Sequence, residues 1–280
     1  MKKNIQKILK YKQTGKKITV LTAYDYSTAK YFDMAGVDII LIGDSLAQVV
    51  LGYESTTDIT MTEMKIFTSA VARGVREALI VSDMPFMSFQ IDRPQTAKNA
   101  LELIKAGANA VKIEGCSEYI LDCVKHLTQT GIPVMGHLGF TPMSINALGG
   151  HKIQGKNLNR TLEILEQAKK LQQAGCFSVV LEMVPTESAK FISENLDIPT
   201  IGIGAGKYTD GQVLVSDDIL GKYDDFCPKF AKKYSNLKEI MINCAKEYCT
   251  DVVSGNFPNE ENSFKLDDEE IKKLENYKQC

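Results

Sequence analysis

The sequence predicts an α/β protein, a single closed (βα)8 TIM barrel preceded by an N-terminal helix and followed by a C-terminal helical extension. Three observations carry that expectation. Eight short runs rich in Val and Ile recur along the chain. Most are followed by a segment with helical start and stop signals. The runs are nearly unbroken by polar residues, as parallel strands covered on both faces require. A length of 280 residues suits one such barrel. An open doubly wound sheet is the alternative, but it ordinarily uses fewer strands.

The elements follow in order. The opening "MKKNIQKILKYK" is basic and amphipathic. It lacks the continuous apolar segment of a secretory signal and the Arg/Ser richness of a transit peptide, so a surface helix is expected. Strands are expected within "KITVLTAY" (17–24), "DIILIGDS" (38–45), "ALIVSDMP" (78–85), "AVKIEG" (110–115), "IPVMGHLG" (132–139), "FSVVLEMV" (177–184) and "IPTIGIGAG" (198–206). The eighth, "QVLVSDDILG" (212–221), is the weakest signal.

Between them, helices are expected over 60–77, with Thr60 and Glu63 at capping-box spacing, and over 94–106, with Pro94 in the first turn and Gly107 at the end. Others run 117–130 from Ser117 to Gly131, 160–174 up to Gly175, and 186–196 after Pro185. Residues 223–257 read as one terminal helix. Residues 267–280, acid first and lysine later, read as a second, charged one. The barrel domain is therefore taken as 1–264 and the charged tail as 265–280.

Hydrophobic residues make up 44% and charged residues 24%, enough for a sizeable core. A net charge of −2 gives no footprint for nucleic acid or an anionic membrane. No apolar run approaches membrane-spanning length. The seven cysteines form no CxxC and no zinc spacing, and read as reduced, mostly buried thiols of a cytoplasmic protein.

Charges interrupt these apolar runs at one recurring place. In a strand, side chains alternate faces, so Lys112 and Glu114 of "AVKIEG" point the same way while Val111 and Ile113 point the other. Catalytic groups of β/α barrels sit at the C-terminal strand ends. There the sequence places Asp44 and Ser45 on the second strand, Asp83 on the third, Lys112 and Glu114 on the fourth, His137 on the fifth and Glu182 on the sixth. Gly202, Gly204 and Gly206 shape the end of the seventh. Four acids and a lysine at one rim call for a cation or a charged ligand, because a buried charge without its partner costs ~3–5 kcal/mol.

Oxygen-only ligands with room for water suit Mg²⁺ better than zinc. Asp44 and Asp83 are the leading ligands, with Glu114 binding directly or through water, and Lys112 balancing a ligand carboxylate or oxyanion. Glu182, set between Leu181 and Met183, is expected to be desolvated, which raises a carboxylate toward useful basicity. Each residue has a plainer reading: a strand-end Asp caps the next helix, Lys112 and Glu114 form a structural pair, and His137 is a satisfied core residue. "GIGAGK" (202–207) matches neither GxGxxG nor the Walker pattern, and reads as a tight turn that lets a ligand approach.

"TAYDYSTAK", "IGDSL", "DMPFMS", "AGANAVKIEG", "GHLGFTPMSIN", "GGHKIQG", "LEMVP" and "IGIGAGKYTDGQVLV" occur in that order. From about residue 17 to 264 the sequence closely resembles the ketopantoate hydroxymethyltransferase family. The resemblance implies a β/α barrel enzyme that moves a one-carbon unit from 5,10-methylenetetrahydrofolate to 3-methyl-2-oxobutanoate (α-ketoisovalerate) with Mg²⁺ assistance. It also implies a homo-oligomer, a decamer of stacked rings. Carried over by position, Asp44, Asp83 and Glu114 hold the metal region, Ser45 and Lys112 contact the keto acid, His137 lies by its oxygens, and Glu182 is the base. Met143, His151 and Cys116 depart from the usual motifs, and none is expected to touch a residue with an assigned role.

Two rivals differ from this reading. One is a related Mg²⁺ barrel enzyme acting on a carbon–carbon or carbon–phosphorus bond of an oxo acid without folate. The other is a catalytically silent metabolite-binding barrel, disfavoured because every assigned role is filled.

Overall fold

The eight apolar runs become eight parallel strands that pair in chain order and close on themselves, the last pairing with the first. A computed structural model describes residues 2–225 and 228–277. The strands are β1 (Ile18–Thr22), β2 (Ile39–Ile42), β3 (Leu79–Asp83), β4 (Ala110–Glu114), β5 (Val134–Gly139), β6 (Ser178–Glu182), β7 (Thr200–Ile203) and β8 (Gly211–Leu214). The first seven lie inside the runs expected for them. The eighth begins one residue earlier and gives way at Ser216 to a helix.

In chain order the helices are α1 (Ile5–Thr14), α2 (Tyr26–Met34), α3 (Leu46–Val49), α4 (Met61–Gly74), α5 (Arg93–Lys105), α6 (Glu118–Gln129), α7 (Ile145–Leu148), α8 (Leu158–Gln173), α9 (Thr186–Glu194), α10 (Ser216–Leu220), α11 (Leu237–Ser254) and α12 (Asp268–Tyr277). The start signals act as their chemistry requires. Thr60 and Glu63 form a reciprocal capping box on α4, and Asp92, Ser117 and Asn157 cap α5, α6 and α8. Sequence periodicity misses α2, which buries only Ala29 and so carries almost no apolar stripe.

Two apolar layers result from strand alternation. Residues such as Val20, Leu41, Val81, Met135, Val180 and Val213 fill the barrel interior. Their neighbours, such as Ile40, Ile80, Val111, Ile113 and Val179, pack outward with Leu103, Val124 and Leu171 of the surrounding helices.

The N-terminal helix is not merely superficial. Ile8 and Tyr11 of α1 are buried and join the interior cluster with Ile18, Ile39 and Leu79. Lys3 pairs with Asp38 at 3.3 Å and Lys12 with Asp210 at 2.8 Å. The basic amphipathic pattern thus reflects a stopper on the N-terminal mouth, apolar face inward and lysines at the barrel edge.

The helical layer has a gap. Every other strand is buried along nearly its full length, but the outward residues Thr19 and Gln212 of β1 and β8 are exposed, and Leu21 and Leu214 only half-buried. The 18-residue α11 buries none of its residues. The expected single helix over 223–257 is also shorter than anticipated. Pro228 interrupts the pattern, and Tyr234 and Ser235 are tied by main-chain bonds to Ile219, so the helix begins only at Leu237.

Among the described cysteines Cys123 and Cys176 are buried, Cys116 is half-buried, and Cys244 and Cys249 on α11 are exposed; all five are free. Cys227 and Cys280 lie outside the described residues. No helix among the described residues is long and apolar enough to cross a membrane.

Candidate active site

Pairing register brings the charged residues together. Asp83 lies opposite Lys112, and Glu114 opposite His137, while Glu182 lies opposite Gly139. Lys112 and Glu114 follow Ala110 on the interior face of β4, and Val111 and Ile113 belong to the outer layer. The charges therefore face into the C-terminal mouth of the barrel.

The contacts form one connected network. Lys112 Nζ lies 3.0 Å from Asp83 Oδ1 and 3.4 Å from His137 Nδ1. His137 Nδ1 lies 3.0 Å from Glu114 Oε1, and its Nε2 lies 3.2 Å from Glu182 Oε2. Glu114 Oε2 accepts the main-chain N–H of Met143 at 3.1 Å. Asp83 Oδ2 accepts the main-chain N–H of Asp44 at 3.0 Å. Asp44 Oδ2 is buried and has no partner at all.

Electrostatics separates the members. Burial and Lys112 push the His137 imidazole down, but Glu114 and Glu182 outweigh them and raise it to about 9, so it is cationic at neutral pH. Burial opposes ionisation of Glu114, yet His137, Lys112 and the Met143 N–H hold its pKa below the ordinary value. Lys112 is raised: burial disfavours its charge, and Asp83, Glu114 and Asp44 more than compensate. Asp44 goes the other way. Burial, Asp83 and Glu114 push it well above the ordinary carboxylate value. Two cations face four carboxylates, and the imbalance falls on Asp44.

Glu182 differs from the desolvated, isolated carboxylate expected from its apolar neighbours. It is 16% exposed and paired with the His137 imidazolium. Its backbone surroundings are tightly built. Gly139, at φ 91°, lies so close to the Glu182 main chain that a Cβ would collide with it, and Phe140 N–H donates to Glu182 O at 2.8 Å. Met183 holds a φ of 49°, costly for a non-glycine residue, and is pinned by main-chain bonds to Ile203 and Gln154. Such strain at a candidate base is invisible in sequence.

Three further features escape sequence reading. Tyr24, buried at the end of β1, shares a 2.8 Å hydrogen bond with Ser45 Oγ. Its place in "TAYDYSTAK" was the available signal. Met143 does touch an assigned residue, but through its main chain, so the side-chain departure leaves that bond intact. The turn after β7 is not open to a ligand at Gly204, because the Phe230 ring packs where a Cβ would stand.

Among the described residues no three His, Cys, Asp or Glu side chains form a ready-made metal cage. Asp83 and Glu114 are engaged by Lys112 and His137, and of these three carboxylates Asp44 is the one with a buried oxygen that has neither a hydrogen bond nor an ion pair.

A sequence profile of the family described as ketopantoate hydroxymethyltransferase matches residues 2–260. The chain belongs to that family. The 3-methyl-2-oxobutanoate hydroxymethyltransferase of Acetivibrio thermocellus is 53% identical over 95% of this chain and 94% of its own length. That of Clostridium kluyveri is 50% identical over 97% of both. The one from Nitrosopumilus maritimus is 47% identical over 98% of both. Ketopantoate hydroxymethyltransferases are transferases, so the chain is an enzyme of that class.

Solved structures with the same fold include a phosphonopyruvate hydrolase in complex with oxalate and Mg²⁺, at TM-score 0.60 and 12% identity over 100% of this chain and 96% of that one. A 2,3-dimethylmalate lyase of the PEP mutase/isocitrate lyase superfamily gives 0.59 and 11%, again over 100% and 96%. At these identities the likeness is one of fold.

Proposed function

We propose that this chain transfers a hydroxymethyl group to 3-methyl-2-oxobutanoate, with 5,10-methylenetetrahydrofolate as one-carbon donor, giving 2-dehydropantoate and tetrahydrofolate. The observation that carries the reading is the uncompensated carboxylate of Asp44 beside Asp83 and Glu114, in a family of relatives bearing this activity's name.

The residues fit a divalent cation. Mg²⁺ retains water and uses one or two carboxylates plus oxygens of its substrate, so an open pair suits it better than a closed cage. Asp44 and Asp83 would hold it, with Glu114 reaching it through water. Bound there, it would act as a Lewis acid on the keto acid's oxo oxygen.

The chain's own groups supply the rest. Ser45, His137 and Lys112 hold the carboxylate and oxo oxygens, and Lys112 gains most when negative charge on the oxo oxygen is greatest. Glu182 accepts the proton from C3. The electron pair left behind forms the new bond from C3 to the methylene carbon as that carbon's bonds to folate nitrogen break. Water supplies the hydroxyl group to that carbon, and its other proton together with the one held by Glu182 restores the two folate amines. His137, cationic between Glu114 and Glu182, keeps Glu182 aimed before the proton arrives.

Three coarser proposals accompany this. Residues 1–264 form the catalytic unit and 265–280 an appended charged helix. The chain works as a homo-oligomer, a decamer of stacked rings; the bare outer face of β1 and β8 and the wholly exposed α11 support a further copy packing there. Free thiols at all five described cysteines support a cytoplasmic setting.

One assay tests the core of the reading. Formation of 2-dehydropantoate should require both methylenetetrahydrofolate and Mg²⁺. Product formed equally well without folate would instead favour the folate-free oxo-acid chemistry.

A further inference from the structure

A second concave feature lies beside the residues described above. A cavity of about 390 Å³ is lined by segment 57–61, by the loop Pro85–Ser88 that leaves β3, and by Gln95 and Asn99 of α5. That volume is in the range of small-molecule sites. Pro85 stands two residues after Asp83, so their Cα atoms are at most about 7 Å apart.

Three observations mark the cavity as built for a ligand. Ser88 is only 4% exposed and its Oγ has no hydrogen-bond partner. Its backbone is firmly held, the N–H donating to Pro85 O at 3.0 Å and the carbonyl accepting from Asn99 Nδ2 at 2.7 Å. A fixed, buried, idle hydroxyl is costly unless something binds it. Met87 holds a φ of 61°, a strained value for a non-glycine residue, and the same loop leaves Phe86 and Met87 39% and 45% exposed. Asp58, on the opposite segment, is exposed and receives no hydrogen bond from the protein.

Resting on the reaction proposed above, we infer that this cavity holds the pterin ring of the folate co-substrate. The ring is a flat heterocycle with apolar faces and a polar 2-amino-4-oxo edge. Its adjacent N–H donors match a carboxylate such as Asp58, as paired donors do in other charge-assisted contacts. Ser88 and Gln95, which line the same cavity, would serve the remaining ring acceptors and donors, while Phe86 and Met87 would cover a face. Proximity adds the decisive constraint. One of the two nitrogens that hold the one-carbon unit belongs to the ring itself, so the ring must lie beside the keto acid, and the Pro85 wall of this cavity stands two residues from Asp83.

The test separates the two substrates. Binding of 5-formyltetrahydrofolate to full-chain enzyme supplied with Mg²⁺ and keto acid is measured by calorimetry. Exchange of the C3 proton of 3-methyl-2-oxobutanoate in deuterated water is followed without folate. Asp58→Asn and Ser88→Ala should each weaken folate binding about tenfold and raise KM for methylenetetrahydrofolate, with proton exchange and the keto acid's KM unchanged within twofold. Folate affinity unchanged in both variants would overturn the cavity assignment and leave the reaction intact. Wild-type enzyme that exchanges the proton yet binds no folate would overturn both.

Discussion

Both ends of this barrel carry buried carboxylates, but the two ends treat them differently. At the N-terminal mouth, Asp38 is 4% exposed and fully used. Its Oδ2 accepts from Thr19 N–H and Oγ–H, each at 3.0 Å, and Oδ1 pairs with Lys3 at 3.3 Å. Asp210 is served likewise by Lys12 and by Thr200. At the C-terminal mouth, Asp44 is as deeply buried, yet its Oδ2 has no partner and like charges surround it. A satisfied buried charge closes a structure, whereas an unsatisfied one is tolerated where a ligand will complete it. The lower end is built to hold and the upper end to bind, as expected of barrels with catalytic loops at one face.

Substitutions can break or sharpen that contrast. The largest effect is expected from Glu182→Gln, with turnover down by about 10³-fold, in the range of a lost general base. Keto-acid affinity should change little, and solvent exchange of the C3 proton, followed by NMR, should vanish; wild-type-like exchange would exclude Glu182 as base. Asp44→Asn should lower turnover by about 10²-fold and shift the Mg²⁺ titration to higher concentration. Because it removes an uncompensated charge, the same variant should melt no lower than wild type without metal.

The mirror-image change is Asp38→Ala. It leaves the Thr19 donors without their acceptor and takes the carboxylate from Lys3, which keeps the Gly36 and Val37 carbonyls, and should cost about 3 kcal/mol in denaturant unfolding while kcat per folded molecule stays within twofold. Ile8→Ala in α1 should cost about 2–3 kcal/mol, as a cavity in the stopper, again without a change in KM. The smallest effect concerns pH. His137 is raised from 6.5 to about 9, so its contribution to stability is complete below pH 6.5 and fades as pH rises toward 9. Metal-free wild type should therefore lose melting temperature across that interval, and His137→Gln should flatten the loss.

Much of the site was legible because strand alternation is a local rule. Two charges at i and i+2 inside an apolar run had to share a face, and β4 places Lys112 and Glu114 on the interior one. Other features were hidden because they depend on chain segments far apart. The partner of His137 on its second nitrogen comes from β6, and only the pairing of β5 with β6 brings Glu182, 45 residues on, within 3.2 Å of it. The strained Met183 and Met87 carry ordinary side chains, so nothing in their identity announces a positive φ. The stretch before α11 misled because helical composition persists there, while the main-chain N–H groups of Tyr223, Tyr234 and Ser235 donate to α10.

By itself the sequence determined the order of strands and helices, the face on which each charge sits and the family to which the chain belongs, since periodicity, capping and motif order are properties of neighbouring residues. Tertiary structure alone decided which carboxylates are neutralised and which is left wanting, that α1 seals one mouth, and that the outer wall between β8 and β1 stays bare. Those outcomes depend on distances between residues tens to hundreds of positions apart, and such distances are set only when the barrel closes.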